Sequence, residues 1–96
     1  MHIVVSYDVN TLTKEGRRRL RHVAKICEGS GQRVQYSVFE CSLTDVEFER
    51  MKQRLLGIIE KSEDSLRIYH LPGRRADHVE AFGRDGYLDF HDPMVI

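Results

Sequence analysis

The first nine residues constrain the fold of this chain more than any other stretch. Ile3, Val4 and Val5 form a continuous β-branched run, which is typical of a strand covered on both faces. Such strands lie in the middle of sheets, so we expect a central strand here. The run ends at Asp8, where the chain must leave the sheet. A side chain at such a point is held by the strand and accessible to ligand, so Asp8 is the first candidate functional residue.

Length and composition predict one small globular domain over residues 1–96. The chain is 41% hydrophobic and 31% charged, which argues against disorder. It has no apolar run near the ~20 residues of a membrane helix and no signal-peptide pattern. Cys27 and Cys41 lack metal-type spacing, so we interpret them as buried residues in a reducing, cytoplasmic compartment. The scattered histidines are interpreted as structural or surface residues.

Charge is balanced overall but uneven along the chain. The 15 basic and 15 acidic side chains give zero net charge and therefore no general attraction to nucleic acid. Residues 14–25, however, contain six Lys and Arg side chains and one acidic side chain, Glu15. Their arginines could contact phosphates without reading bases, and the absence of interleaved aromatics favours a duplex over a stacked single strand. The candidate nucleic-acid-binding residues in this stretch are Arg17, Arg18, Arg19 and Arg21. A merely solvated helix face is the alternative.

The rest of the chain is predicted to alternate between helices and strands. Helical spacing begins at Thr11 or Thr13 and runs to about Glu28, and residues 29–31 predict a left-handed glycine cap. Residues 33–41 are strand-like and form either one long strand or two with a bend near residues 36–37. A capping box at residues 44–47 predicts a helix over residues 45–60. Residues 64–71 predict a further strand, which Pro72 ends.

This order favours an α+β fold, the ferredoxin-like βαββαβ sandwich with both helices on one side of an antiparallel sheet. A small parallel α/β sheet is the alternative. Residues 73–86 predict a variable loop, and the apolar segment 87–96 predicts an extra C-terminal strand, added to the edge of a sheet in this chain or in a second copy. The bare face of the sheet would need a cover, and self-association into a homodimer would supply it.

Two stretches carry a resemblance to a known family. Residues 5–9 read Val-Ser-Tyr-Asp-Val before an arginine-rich helix, and residues 31–40 read Gly-Gln-Arg-Val-Gln-Tyr-Ser-Val-Phe-Glu. The predicted strand at 66–71 stands where the family has its fourth strand, and the match fades after Pro72. Over residues 1–71 the chain resembles the CRISPR-associated protein 2 family, the small partner of the CRISPR integrase.

The resemblance implies a ferredoxin-like homodimer that acts in the acquisition of CRISPR spacers. Its partners would be the CRISPR integrase and double-stranded DNA, with single-stranded RNA as a further substrate, and no membrane. In some members it implies a metal-dependent nuclease, either an endoribonuclease or a deoxyribonuclease.

The resemblance also bears on the site. Asp8 alone could be an Asx-turn or a helix cap, but two copies facing across a dimer axis could share one Mg²⁺, or another divalent cation, and a water that it activates. Tyr7 and Phe39 either pack in the core or shape the cleft around Asp8. Gln35 and Ser37 share the parity of Phe39 and could line the same cleft. Arg33 is either a surface charge or a catalytic and nucleic-acid-binding residue that neutralises a phosphate.

Three functions therefore stay open: a metal-dependent endonuclease, a DNA-binding scaffold without catalysis, and a toxin-like ribonuclease of the same architecture.

Overall fold

A computed structural model describes residues 1–84 and residue 87. The strands are β1 (His2–Asp8), β2 (Gln32–Gln35), β3 (Val38–Ser42) and β4 (Ser65–Leu71). The helices are α1 (Lys14–Ser30) and α2 (Asp45–Ile58), and a short 3-10 helix spans Arg75–Asp77. The final strand predicted within residues 87–96 lies outside the described residues, apart from Tyr87. No described helix combines the length and the apolar character that crossing a membrane requires.

The strand at the start of the chain is central, as predicted. The sheet order is β2-β3-β1-β4, and β1 pairs antiparallel with both β3 and β4. Ile3 lies opposite Cys41 on one side and His70 on the other. All pairings in the described sheet are antiparallel, so the ferredoxin-like prediction is confirmed and the parallel alternative is wrong.

The long strand-like stretch is two strands. A turn at Tyr36 and Ser37 separates β2 from β3, and the register between these strands shifts from Arg33 to Gln35. No glycine or proline marks this turn, which is why the sequence left one strand or two open.

The first helix begins where its cap was predicted and ends differently. Thr13 caps the N-terminus and accepts a hydrogen bond from the Gly16 amide at 3.0 Å. The helix passes through Gly29 and ends at Ser30, and its C-cap residue, Gly31, has an extended φ of −164°. The predicted left-handed cap is therefore wrong. A Cβ on Gly31 would lie 2.4 Å from the Cys41 sulfur, so the glycine is needed for close packing against β3.

Alternation along β1 separates two environments. Ile3, Val5 and Tyr7 are buried beneath the helices, whereas Val4 and Ser6 face the other way and stay half-buried. The capping box of α2 is confirmed: the Thr44 hydroxyl accepts from the Glu47 amide and the Glu47 carboxylate accepts from the Thr44 amide. Phe48, Met51 and Leu55 of this helix complete the core.

The sheet face opposite the helices, called the open face below, is partly covered by the chain that follows β4. Residues 75–84 pass over Val4 and Val38 and leave a cleft of about 330 Å³. Phe82 at the edge of this cleft is 86% exposed, and Tyr69 on β4 is 47% exposed. Within the described residues, this face therefore combines aromatic surface with a partial cover.

Candidate functional site

Asp8 stands at the end of β1, exposed and opposite Ser65 of β4. Since successive side chains of a strand point to opposite faces, Asp8 belongs to the open face with Val4 and Ser6. Within residues 1–84 and 87, no hydrogen bond or ion pair engages its carboxylate. The group is therefore available as an oxygen ligand.

Tyr7, Phe39 and Arg33 lie together on the helix side of the sheet, and Asp8 lies on the other side. The two aromatic rings are stacked with centroids 6.2 Å apart and planes at 21°. The Arg33 guanidinium lies 5.0 Å from the centre of the Phe39 ring, and it pairs with Glu28 at 3.3 Å. Phe39 has no solvent exposure. This group forms a packed support beneath the end of β1.

The support and Asp8 therefore occupy opposite faces of one strand. Burial raises the pKa of the Tyr7 phenol above its ordinary value, and the neighbouring Arg33 lowers it by less, so Tyr7 stays neutral at physiological pH. The Tyr7 amide donates a hydrogen bond to the Ser37 carbonyl at 3.1 Å, which ties the end of β1 to the turn between β2 and β3. Gln35 separates from this group, since it lines the cleft on the open face. The sequence pattern could not show this, because the register shift before Gln35 changes the parity of β2.

Asp64 precedes the cross-strand partner of Asp8 and was not singled out in the sequence. Its side chain has no solvent exposure and pairs with Arg19, whose Nε donates to Oδ2 at 2.8 Å. It also accepts from the Asn10 amide at 3.0 Å and the Glu60 amide at 2.8 Å. Burial raises the pKa of Asp64, but the hydrogen bonds from Arg19 and these amides outweigh it and hold the pKa below its usual range.

The arginines of α1 therefore differ in what they can do. Arg19 is engaged by Asp64 and by Glu63 at 3.1 Å, so its charge is compensated inside the protein. Arg17, Arg18 and Arg21 are exposed. Arg17 donates to the carbonyl of Thr11 at 3.2 Å, which places it over the loop that follows Asp8. Arg17 is thus an exposed cation near the end of β1 that carries Asp8.

The open face holds a charged network that the sequence did not reveal. Glu40 is 5% exposed and accepts from Arg75 Nη2 at 3.0 Å, and its carboxylate lies 3.1 Å from His2 Nε2. The Arg75 guanidinium also lies 3.6 Å from the centre of the Tyr87 ring. Burial raises the pKa of Glu40, but Arg75 and His2 outweigh it and lower that pKa. The network fastens the segment after β4 to the sheet. A charged residue inside β3 was the only sequence signal for it.

The cysteines behave as predicted from their spacing. Both are buried and free of disulfides. Burial raises the pKa of the Cys27 thiol to about 12 and that of Cys41 to about 11. Neither thiol is therefore available as a nucleophile or a metal ligand at neutral pH.

The described residues of one chain do not form a multi-ligand metal site. Among residues 1–84 and 87 no cluster of three or more His, Cys, Asp or Glu side chains is arranged to hold a metal ion. Mg²⁺ is commonly held by one or two carboxylates and several waters. The exposed, uncommitted Asp8 supplies one carboxylate of such a donor set.

Comparison with known proteins bears on this geometry. The model of the family described as "CRISPR associated protein Cas2" matches residues 1–79. A protein of Moorella thermoacetica named CRISPR-associated endoribonuclease Cas2 1 is 46% identical over the full length of both chains. A protein of Halalkalibacterium halodurans named CRISPR-associated endonuclease Cas2 is 41% identical, with 99% of each chain covered.

A solved structure agrees. The crystal structure of Streptococcus pyogenes Cas2 at pH 6.5 superimposes with a TM-score of 0.76 and 54% identity, covering 86% of this chain and all of the other. The match to the family model covers both the end of β1 and the run through β2 and β3 on which the resemblance rested. The chain belongs to the CRISPR-associated protein Cas2 family.

Proposed function

We propose that this protein is a homodimeric, divalent-metal-dependent endonuclease in which Asp8 from each copy contributes to one shared cation site. The observation that carries the proposal is the state of Asp8, which is exposed and free of partners within the described residues. Carboxylates placed close together repel each other unless a cation lies between them. The names of the relatives, endoribonuclease and endonuclease, support hydrolysis of phosphodiester bonds.

The open face supports the homodimer. It presents Tyr69 and Phe82 as exposed aromatic surface, and Asp8 follows the half-buried Val4 and Ser6 on the same face. Two such faces brought together would bury that surface and bring the two Asp8 side chains toward each other. An isologous contact of this kind is self-complementary by symmetry.

Each group then has a defined task. When bound, Mg²⁺ or another divalent cation would neutralise phosphate charge and lower the pKa of a bound water. Asp8 supplies the anionic oxygen that holds the cation. Arg17 and Arg18 hold the phosphate backbone beside it, a contact that needs charge and no base readout. Tyr7 and Phe39 support the strand, and Arg33 neutralises Glu28 at the edge of that support.

Membership of the Cas2 family supports a role for this activity in CRISPR adaptation. We infer that the protein acts in the cytoplasm in the acquisition of new spacers, with the CRISPR integrase and double-stranded DNA as partners and RNA as a further substrate. A non-catalytic DNA-binding scaffold is the second candidate, favoured by the observation that the described residues include no cluster of three or more possible metal ligands. A toxin-like ribonuclease would instead arrest growth on expression and prefer RNA.

A cleavage assay with the Asp8→Ala variant tests the proposal. The variant and the unmodified protein are purified in parallel and incubated with end-labelled RNA and duplex DNA, in Mg²⁺ and in EDTA. We expect Mg²⁺-dependent cleavage by the unmodified protein and none by Asp8→Ala. Asp45→Ala is the matched control, because Asp45 is an exposed aspartate at the opposite end of the sheet. It should cleave normally.

The two candidates give different results. Equal cleavage by Asp8→Ala would identify a contaminant and overturn the nuclease proposal. Duplex binding without cleavage in any of the three proteins would establish the scaffold.

A further inference from the structure

Asp64 is a buried carboxylate whose bonds converge on the chain just beyond Asp8. Each of its oxygens is used twice. Oδ1 accepts from the Asn10 amide at 3.0 Å and from Arg19 Nη2 at 3.3 Å. Oδ2 accepts from Arg19 Nε and from the Glu60 amide, both at 2.8 Å. Burying a carboxylate is unfavourable unless it is paired and fully hydrogen-bonded, and this one is. So complete a set of bonds makes Asp64 a rigid anchor.

The anchor fixes the turn that follows Asp8. Asn10 is two residues beyond Asp8, and its own side chain accepts from the Leu12 amide at 2.9 Å. The carbonyl of Asn10 packs so closely on Gly16 that a Cβ there would lie 1.9 Å from it. Asn10 is thus held by the start of α1 on one side and by Asp64 on the other, which leaves this turn little freedom to shift.

The same residue fixes the strand that pairs with Asp8. Asp64 immediately precedes Ser65, the cross-strand partner of Asp8. One carboxylate therefore ties the chain after Asp8 to the first residue of the neighbouring strand. Asp8 pairs with one tethered residue, Ser65, and is two residues from the other, Asn10, so a shift of Asp64 would be transmitted to the backbone of Asp8 from both.

We propose that Asp64, neutralised by Arg19, is a positioning residue that sets where the Asp8 carboxylate stands for a divalent cation. The inference rests on the proposed function, because the cation is what Asp8 would hold. It gives Arg19 a task different from that of its exposed neighbours: Arg19 keeps Asp64 charged and oriented and does not itself hold phosphate. Partners of this outer kind commonly change metal affinity 10- to 100-fold, by the general rule.

The test follows Mn²⁺ binding by NMR in the full chain, using paramagnetic broadening of the backbone amide signals of Asp8 and Val9. Asp64→Asn keeps the size of the side chain but turns an amino group toward one of its donors. We expect the Mn²⁺ concentration for half-broadening to rise at least about tenfold. In the metal-free protein, hydrogen exchange at the Asn10 amide should accelerate while the Leu55 amide stays protected as before.

Two further variants complete the test. Glu63→Gln removes the other acidic partner of Arg19 without touching Asp64, so Mn²⁺ binding should remain as in the unmodified protein. Arg19→Lys keeps the charge but loses the fork that contacts both Asp64 oxygens, and an intermediate loss of affinity is expected. This variant decides the question if Asp64→Asn fails to fold.

The outcomes separate the inference from the function beneath it. If Mn²⁺ broadens Asp8 in the unmodified protein and equally in folded Asp64→Asn, or in Arg19→Lys where Asp64→Asn does not fold, the positioning role is overturned and the proposed function stands. An equal loss in Glu63→Gln would also overturn it, because the effect would then belong to the charge around Arg19. If Mn²⁺ leaves Asp8 of the unmodified protein unaffected, the proposed function fails and the inference falls with it.

Discussion

Gly16→Ala should destabilise the protein although it improves the intrinsic helix propensity of α1. A Cβ at this position would lie 1.9 Å from the Asn10 carbonyl oxygen and 3.0 Å from its carbon. Backbone atoms cannot rotate away as a side chain can, so the helix and the loop must separate by about an ångström. We expect overpacking to cost about 3 kcal/mol, against a gain of about 1 kcal/mol from replacing glycine in a helix.

The net loss of about 2 kcal/mol corresponds to a fall in Tm of roughly 10 °C for a domain of this size. Gly29→Ala and Gly57→Ala are matched controls, since both glycines are helical and a Cβ at either meets no atom within 4 Å. They should be stabilised by up to about 1 kcal/mol. Thermal unfolding followed by circular dichroism, at one fixed protein concentration, measures all three. A Gly16→Ala variant as stable as the unmodified protein would refute the packing argument.

Three other substitutions probe separate parts of the molecule. Phe39→Leu should lower the free energy of unfolding by about 1–2 kcal/mol, measured in urea, while cleavage per folded molecule persists because the ring is buried on the face opposite Asp8. Glu40→Gln should flatten the loss of stability in acid. The pKa of Glu40 is lowered by folding. Its contribution to stability is therefore complete above its unfolded pKa of about 4.3 and disappears as the pH falls through the folded pKa. Urea unfolding midpoints measured between about pH 6 and 3 test this, and midpoints that fall in parallel in both proteins would contradict it. Charge reversal of Arg17 and Arg18 should weaken duplex binding and reduce its log–log salt slope by about 2, and an unchanged slope in a titration of binding against salt would exclude both residues from phosphate contact.

Local patterns predicted most of the fold because each element carries its own signal. The β-branched run placed β1 in the centre, and Thr44 with Glu47 placed the start of α2 where the structure has it. The end of α1 was mistaken because Gly31 looks like a left-handed cap. Glycine is needed at position 31 because the backbone there packs against Cys41. Cys41 lies ten positions away in sequence and is brought close by the sheet.

The candidate site was predictable where a local sequence property identifies the residue. Asp8 is identified by its position at the end of a strand, which is a local property. The roles of Arg19 and Asp64 depend on a pair 45 residues apart in sequence, and no local pattern distinguishes Arg19 from the exposed arginines beside it. The parity of Gln35 depends on a register shift in β2. Long-range pairing and strand irregularity thus limit what one sequence reveals.

The pairing of β1 with β4 also determines when the candidate site can exist during synthesis. His2 lies opposite Leu71, and Asp8 lies opposite Ser65. A nascent chain therefore exposes the aspartate early but lacks the strand that holds it until nearly three quarters of the protein has left the ribosome. Contacts so distant along the chain form slowly. Any activity that depends on this aspartate therefore requires β4 to have emerged and paired with β1.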